Sequence, residues 1–311
     1  MILTVTLNAA LDVTYVVDRL VPRTSHRVDT VHERAGGKGV NVARVLSALG
    51  WPTVVTGLCG GDTGARLRGE LRTAGPRDEL VPIAGESRRT LTVVSRADGD
   101  ATVFNQGGPS VTAGEWEAFT TRYALLLRDA DVAVLSGSLP PGLPADAYAH
   151  LVTLARERGV ATILDTSGPA LSAALPAGPD VVKPNADELV AVTGRQDLAD
   201  AAARLRAMGA RGVVASHGPD GLHAITEQGT WRATPPERLA GNPTGAGDAC
   251  VAALAAGLAT GAPWPAMLCE AVALSAAAVL RPTAGDFDAD AYRRFRTAVS
   301  VEEVHAARSH P

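Results

Sequence analysis

Apolar positions along the chain keep two rhythms. Short β-branched runs, "DVAVL" (131–135), "VATILD" (160–165), "PDVV" (179–182) and "GVVA" (212–215), are separated by segments with apolar residues at helical spacing. Two of these segments are sharp. Val42, Val45, Leu46 and Leu49 fall at i, i+3, i+4 and i+7, and so do Val251, Leu254, Ala255 and Leu258. Each follows a glycine-rich turn, "AGGKGVN" or "NPTGAGD", and Gly50 is placed to cap the first helix. Short strands alternating with helices predict a largely parallel sheet covered on both faces.

The four runs end alike, in Ser136-Gly137-Ser138, Thr166-Ser167-Gly168, Lys183-Pro184-Asn185 and Ser216-His217-Gly218. One such triplet is an ordinary polar turn. Four in succession, with "TGAGD" as a fifth, point to one ligand crevice along the carboxyl edge of the sheet, where open α/β sheets bind. Residues 13–33 and 87–105 break the rhythm. "TYVVD", "HRVDTVHE", "RTLTVVSR" and "ATVFN" are short, partly alternating pieces with no helical period between them. They are either edge strands of the main sheet or a small β-layer standing off it as a lid.

Composition narrows the setting. At 311 residues with no linker, repeat or charge block, residues 1–311 are expected to form one domain, with the lid strands inserted in it. Aromatic residues are only 4% of the chain, so Val, Leu, Ile and Ala must build the core. A formal net charge of -4 gives no basic footprint for nucleic acid and no polybasic membrane patch. Cys59, Cys250 and Cys269 have neither metal-ligand nor disulfide spacing, which suits a reducing cytoplasm. The start "MILTVTLNAALD" has no signal-peptide pattern, and no apolar run reaches the ~20 residues of a membrane helix. A cytoplasmic protein is expected.

The chemistry gathers at "NPTGAGD". Asp248 lies where a helix begins, a place that favours negative charge. It is either an ordinary first-turn carboxylate or a working group. In the second reading the amides of Gly245, Ala246 and Gly247 face a developing negative charge, as phosphoryl transfer requires, and Asp248 takes the proton of the attacking hydroxyl. "AGGKGVN" offers a second such helix start. Asn41 is placed to bond a hydroxyl and Lys38 a phosphate; the alternative is an N-capping asparagine beside a solvated lysine. No G-x-x-x-x-G-K-[ST] occurs, "GAGDAC" lacks the third glycine of a dinucleotide fingerprint, and the protein-kinase motifs are missing.

"AGGKGVNVARVLSALG" and "NPTGAGDACVAAL" together resemble the two signatures of the ribokinase-like PfkB carbohydrate kinases. "TLNAALD", "FNQGGP", "LSGSLPPG", "LDTSG", "VKPNADEL" and "SHGPDGL" follow in that family's order, through nearly the whole chain. The start, "SGSLP" and "VKPN" are most similar to the phosphorylated-ketohexose branch, which holds tagatose-6-phosphate kinases, 1-phosphofructokinases and minor 6-phosphofructokinases. The resemblance implies a three-layer α/β/α fold with a mostly parallel sheet and a β lid, and a homodimer joined through the lid. It also implies ATP and Mg²⁺ as cofactors and a sugar phosphate as substrate.

Site roles follow residue by residue from the same resemblance. Asp248 is then the base, with Gly245, Ala246 and Gly247 as the anion hole. Asp12, Gly37 and Asn41 hold sugar hydroxyls. Lys38, Arg88 and Ser138 bind the phosphate already on the sugar, with Arg27 reaching in from a partner's lid. Asn185 and Glu188 organise Mg²⁺ through water, and Lys183, Asn185, Ser216, Gly218, Gly221 and Thr244 line the ATP site. Of the adjacent Arg88 and Arg89 only one can face the cleft from a strand, and Arg89 is expected at the exposed edge. Ala9, Ser25, Thr90, Ala249 and Cys250 depart from the family pattern and leave the exact sugar open. The rivals are a kinase for an unphosphorylated hexose or a nucleoside, and a sugar-phosphate sensor without chemistry. Cys250 is expected to be a small buried residue, not a nucleophile.

Overall fold

The computed structural model describes residues 1–97 and 101–304. The chain opens with β1 (Ile2–Thr6), β2 (Ala10–Val17), β3 (Thr30–Gly36), α1 (Lys38–Ala48), β4 (Thr53–Gly60), α2 (Gly61–Ala74) and β5 (Arg77–Ile83). It goes on through β6 (Arg88–Ser95), β7 (Ala101–Asn105), α3 (Ala113–Leu126), β8 (Val132–Ser136), α4 (Ala147–Arg156), β9 (Ala161–Asp165) and α5 (Gly168–Ala174). The rest is β10 (Val181–Val182), α6 (Ala186–Thr193), α7 (Leu198–Ala207), β11 (Val213–Ser216), β12 (Leu222–Ile225) and β13 (Thr230–Thr234), then α8 (Ala246–Thr260), α9 (Trp264–Val279), α10 (Ala289–Phe295) and β14 (Ser300–Glu303).

Ten strands form one sheet in the order β14-β13-β12-β11-β10-β9-β8-β1-β4-β5. Neighbours from β11 to β5 run parallel, and β12, β13 and β14 close one side as an antiparallel meander. The four apolar runs are therefore the adjacent strands β8 to β11, as their common endings predict. Alternate strand residues face opposite sides, and both sides are apolar. Leu3, Val5, Ala133, Leu135 and Leu164 join the core under α3 to α7; Ile2, Val132, Val134 and Ile163 join the core under α1, α8 and α9. Such a two-faced burial leaves no polar alternation in the sequence of these strands. Helix α8 lies between α1 and α9, so Asp248 through Ala255 are all buried and the helix is apolar nearly all round.

The irregular segments form a separate sheet, β3-β2-β6-β7, and are not edge strands of the main one. Its strands extend beyond the expected 13–33. Ala10 pairs with Gly36 and Leu11 with Ala35, residues of weak strand preference that are recruited by their partners. Conversely, β3 starts only at Thr30, so His26 to Asp29 lie in the loop before it. Of the expected lid segment 87–105, residues 98–100 lie outside the described residues. No helix of the described residues is long and apolar enough to cross a membrane.

Around β1 the strand order reverses. The chain first builds outward to β4 and β5, then crosses to the other flank of β1 at β8. A crevice opens beyond the carboxyl ends of two strands whose connections leave in opposite directions. Here it lies between the end of β1, at Thr6 to Asn8, and the end of β8, at Ser136 to Ser138.

Candidate active site

Two helices aim their N-termini at this crevice. Gly37 caps α1 with φ 103°, and Gly245 caps α8 with φ 90°, conformations open to glycine at little cost. Neither N-cap is filled by a side chain. At α8 the amides of Gly245, Gly247 and Asp248 have no acceptor among the described residues, whereas the Ala246 amide donates to the Pro243 carbonyl at 3.1 Å. Of the three amides expected to form the anion hole, that of Ala246 thus closes the turn that begins the helix, and the backbone N–H of Asp248, which sequence reasoning did not name, is free beside those of Gly245 and Gly247. Asn242 fixes that turn, accepting from the Thr244 amide at 3.0 Å and donating to the Pro282 carbonyl at 2.9 Å.

Asp248 is 7% exposed. The side-chain amide of Asn41 donates to its Oδ2 at 2.9 Å, joining the first turn of α1 to that of α8. Asn41 is thus no N-cap. Burial, reinforced by the charge of Asp165, pushes the Asp248 carboxyl up to about 7, against the opposing pull of Asn41, Lys38 and Lys183. A carboxyl poised there can take up a proton near neutral pH.

Asp165, at the end of β9, is 1% exposed. Lys38 approaches its Oδ1 at 3.2 Å and Lys183 at 3.5 Å. One buried carboxylate thus holds two ammonium groups at the base of the cleft. Burial is the largest influence on the Lys183 ammonium and works to lower it, but Asp165 together with the smaller contributions of Cys250, Glu188 and Asp248 outweighs it and the net direction is upward. The Lys183 Nζ comes so near the start of α8 that a β-carbon on Gly247 would lie 3.4 Å from it. "LDTSG" matches a family motif, yet nothing in it assigns a function to Asp165. A charged residue closing an apolar strand run was the available signal.

A cleft of about 1470 Å³ brings together Asp12, Gly37, Lys38, Asn41 and Arg88 with Lys183, Asn185, Glu188, Ser216, Gly218, Gly221 and the turn from Thr244 to Asp248. Ser138 lies in an adjoining pocket of about 540 Å³ that shares Gly37, Lys38, Arg88 and Glu188 with the cleft. Arg27 lines neither cavity and is exposed. Arg88 faces the cleft and Arg89 turns outward to Thr63, as the strand alternation predicts. Asp12 is pushed up to about 6 by burial, against the Thr90 hydroxyl and the guanidinium groups of Arg88, Arg34 and Arg44. Arg34 reaches from lid strand β3 to the hydroxyl of Thr283 and the carbonyl of Gly285, tying the lid to the loop that backs Gly245.

Asn185 and Glu188 form a capping box on α6: the Glu188 amide donates to Asn185 Oδ1 at 2.8 Å, and the Asn185 amide to Glu188 Oε2 at 2.9 Å. Their pairing is a structural feature, yet both side chains still line the cleft. The Cys250 thiol is driven up to about 12 by burial, which fits the packing role expected of it.

The sequence profile of the pfkB family carbohydrate kinases matches residues 4–290. A tagatose-6-phosphate kinase of Staphylococcus epidermidis is 36% identical over 266 residues, 83% of this chain and 85% of that protein. Among solved structures, one described as a possible 1-phosphofructokinase from Thermotoga maritima superposes with a TM-score of 0.89 at 30% identity, covering 98% of this chain and 100% of the other. Phosphofructokinase-2 from Escherichia coli, solved in complex with fructose-6-phosphate, gives 0.87 at 30% identity over 95% of this chain and 98% of the other. The chain, with its two glycine-capped helix starts converging on a buried carboxylate, belongs to the pfkB family of carbohydrate kinases.

Proposed function

We propose that this chain transfers the γ-phosphoryl group of ATP to a hydroxyl of a phosphorylated ketohexose, tagatose 6-phosphate or fructose 1-phosphate, yielding the bisphosphate and ADP. The observation that carries the reading is Asp248, buried at the free N-terminus of α8 and held by Asn41. The sugar hydroxyl oxygen forms the new bond to the γ-phosphorus, the bond from that phosphorus to the β–γ bridging oxygen breaks, and the hydroxyl proton passes to Asp248. Charge on the transferred group meets the amides of Gly245, Gly247 and Asp248, with Lys38 and Lys183 nearby. Preorganised donors of this kind act at no reorganisation cost during the reaction.

Asp12, Gly37 and Asn41 hold hydroxyls of the sugar. Lys38, Arg88 and Ser138 hold its phosphate, and Arg27 comes from a second copy of the chain. Ser216, Gly218, Gly221 and Thr244 flank the nucleotide. Among the described residues no group of three or more His, Cys, Asp or Glu gathers around a metal position. Glu188, an oxygen donor with Oε1 left over from its capping box, fits a Mg²⁺ held mainly by nucleotide phosphates and water. Mg²⁺ there would neutralise phosphate charge.

Val31 and Phe104 are half-exposed on the lid, apolar surface that a second lid would cover. We read the protein as a cytoplasmic homodimer of single kinase domains. The direct test is ADP release with ATP and equal concentrations of tagatose 6-phosphate, fructose 1-phosphate, fructose 6-phosphate, free tagatose, free fructose, ribose and adenosine. Turnover confined to the phosphorylated ketoses supports the reading. A free sugar or nucleoside as best substrate would leave the kinase and remove the phosphate subsite.

A further inference from the structure

Asn8 follows β1 at the point where the strand order reverses, and it is 7% exposed. Its side-chain amide donates twice, to the Gly107 carbonyl at 3.2 Å and to Ser138 Oγ at 3.1 Å. Its backbone carbonyl accepts from Arg88 Nε at 3.0 Å. One residue therefore joins three segments that are distant in sequence: the loop after β7, the loop after β8 and the start of β6. All three border the pocket of about 540 Å³ beside the cleft.

The direction of these bonds matters. A serine hydroxyl has one proton and two lone pairs. Asn8 donates into a lone pair of Ser138, so the proton of Ser138 is left to point elsewhere. Ser138 is exposed to the pocket and donates to nothing among the described residues. Arg88 is fixed in a similar way. Its Nε goes to Asn8, and its Nη1 lies 3.4 Å from both the Thr90 hydroxyl and the Gln106 carbonyl, leaving Nη2 for the pocket. A donor holds the back of Ser138 and acceptors hold the back of Arg88, and in both cases a donor is left to face the cavity. Oδ1 of Asn8 has no hydrogen-bond partner and packs on Gly108, where a β-carbon would come within 2.2 Å of it. A glycine there lets the amide sit flush in its place.

We propose that Asn8 is the positioning residue of the phosphate subsite, orienting Ser138 through its amide and Arg88 through its carbonyl so that both donate to the phosphate already on the sugar. This rests on the sugar-phosphate reading above. Asn8 does not itself touch the phosphate. Its side chain acts through Ser138 and the Gly107 loop.

The test compares wild type, Asn8→Ala, the isosteric Asn8→Asp, Ser138→Ala and the Asn8→Ala/Ser138→Ala double variant. For each, kcat and KM are measured for the best ketohexose phosphate, for the same ketohexose without phosphate, and for ATP. Loss of one oriented donor to a charged acceptor corresponds to roughly tenfold or more in KM for the sugar phosphate. The expected result is that rise in Asn8→Ala, with kcat/KM for the free sugar and KM for ATP within about twofold of wild type. Asn8→Asp, whose carboxylate would draw the Ser138 proton back and repel phosphate, is expected to lose at least as much. The double variant should be hardly worse than either single one. Equal losses for phosphorylated and free sugar, additive effects with Ser138→Ala, or an unchanged Asn8→Asp would overturn the inference. A wild-type enzyme with no preference for the phosphorylated sugar would instead overturn the sugar-phosphate reading, and the inference with it.

Discussion

Replacing Asp248 by asparagine should abolish turnover and at the same time stabilise the resting fold. The carboxyl is pushed from 3.8 to about 7, first by burial and then by Asp165. Between those two values an unfolded chain has lost this proton while the folded one keeps it. The folded state therefore binds more protons there, and stability falls as pH rises through the window. Above about pH 7 the full penalty is present. Three units at about 1.4 kcal/mol each bound it at roughly 4 kcal/mol. Asparagine is uncharged and its side-chain carbonyl still accepts the bond from the Asn41 amide, so the penalty disappears while the packing remains. Urea unfolding of both proteins without ATP, from about pH 4 to about pH 8, reads the effect directly, since bound nucleotide would add its own stabilisation. The variant should match wild type near pH 4 and gain on it steadily to about pH 7, by roughly 1–4 kcal/mol. Turnover should fall by about 10² to 10⁴ at least, the usual contribution of a general base. A variant less stable than wild type at neutral pH, or one whose advantage does not grow with pH, would refute the argument that the buried carboxylate is held at a cost.

Two further substitutions probe the neighbours of that group. Asp165→Asn removes the second-largest influence raising Asp248 and frees both lysines, so the acid limb of the kcat/KM profile should move to lower pH by roughly one unit, with kcat/KM itself falling about 10- to 100-fold. A limb that stays or moves upward contradicts the coupling. Gly245→Ala puts a β-carbon 2.7 Å from the Cα of Ala284 at a φ of 90°, and should cost about 1–3 kcal/mol in urea unfolding together with a loss of kcat. Unchanged stability and rate would mean that the left-handed cap is not required.

Much of the fold was legible because its signals are local. β-branched runs with similar polar endings specify parallel strands, and a 3.6-residue apolar period following glycines specifies α1 and α8. The lid strands were legible as irregular alternation, but their ends were not. Pairing of Ala10 with Gly36 comes from hydrogen bonds to a partner strand, and neither residue announces it. Asp248, Lys38, Asn41 and Arg88 could be picked from residue type and placement beside a turn or on a strand.

Other decisions belong to the tertiary structure. Chemical character alone made Asn41 a partner for a sugar hydroxyl. Only the approach of α1 to α8 turns its amide to Asp248, 207 residues away. Ala246 had the same standing as its glycine neighbours until the turn used its amide for Pro243. Asp165 read as the end of a strand, since nothing local reveals that two lysines from different elements converge on it. Nothing in "TLNAALD" singles out Asn8, because the loops it joins meet only where the strand order reverses beside β1. The sequence by itself determined the elements, the layers and the kind of chemistry, since these depend on hydrophobic period and residue type. The partners and directions of the hydrogen bonds in the site were decided by tertiary structure, because they depend on the relative placement of segments that the chain brings together only after it folds.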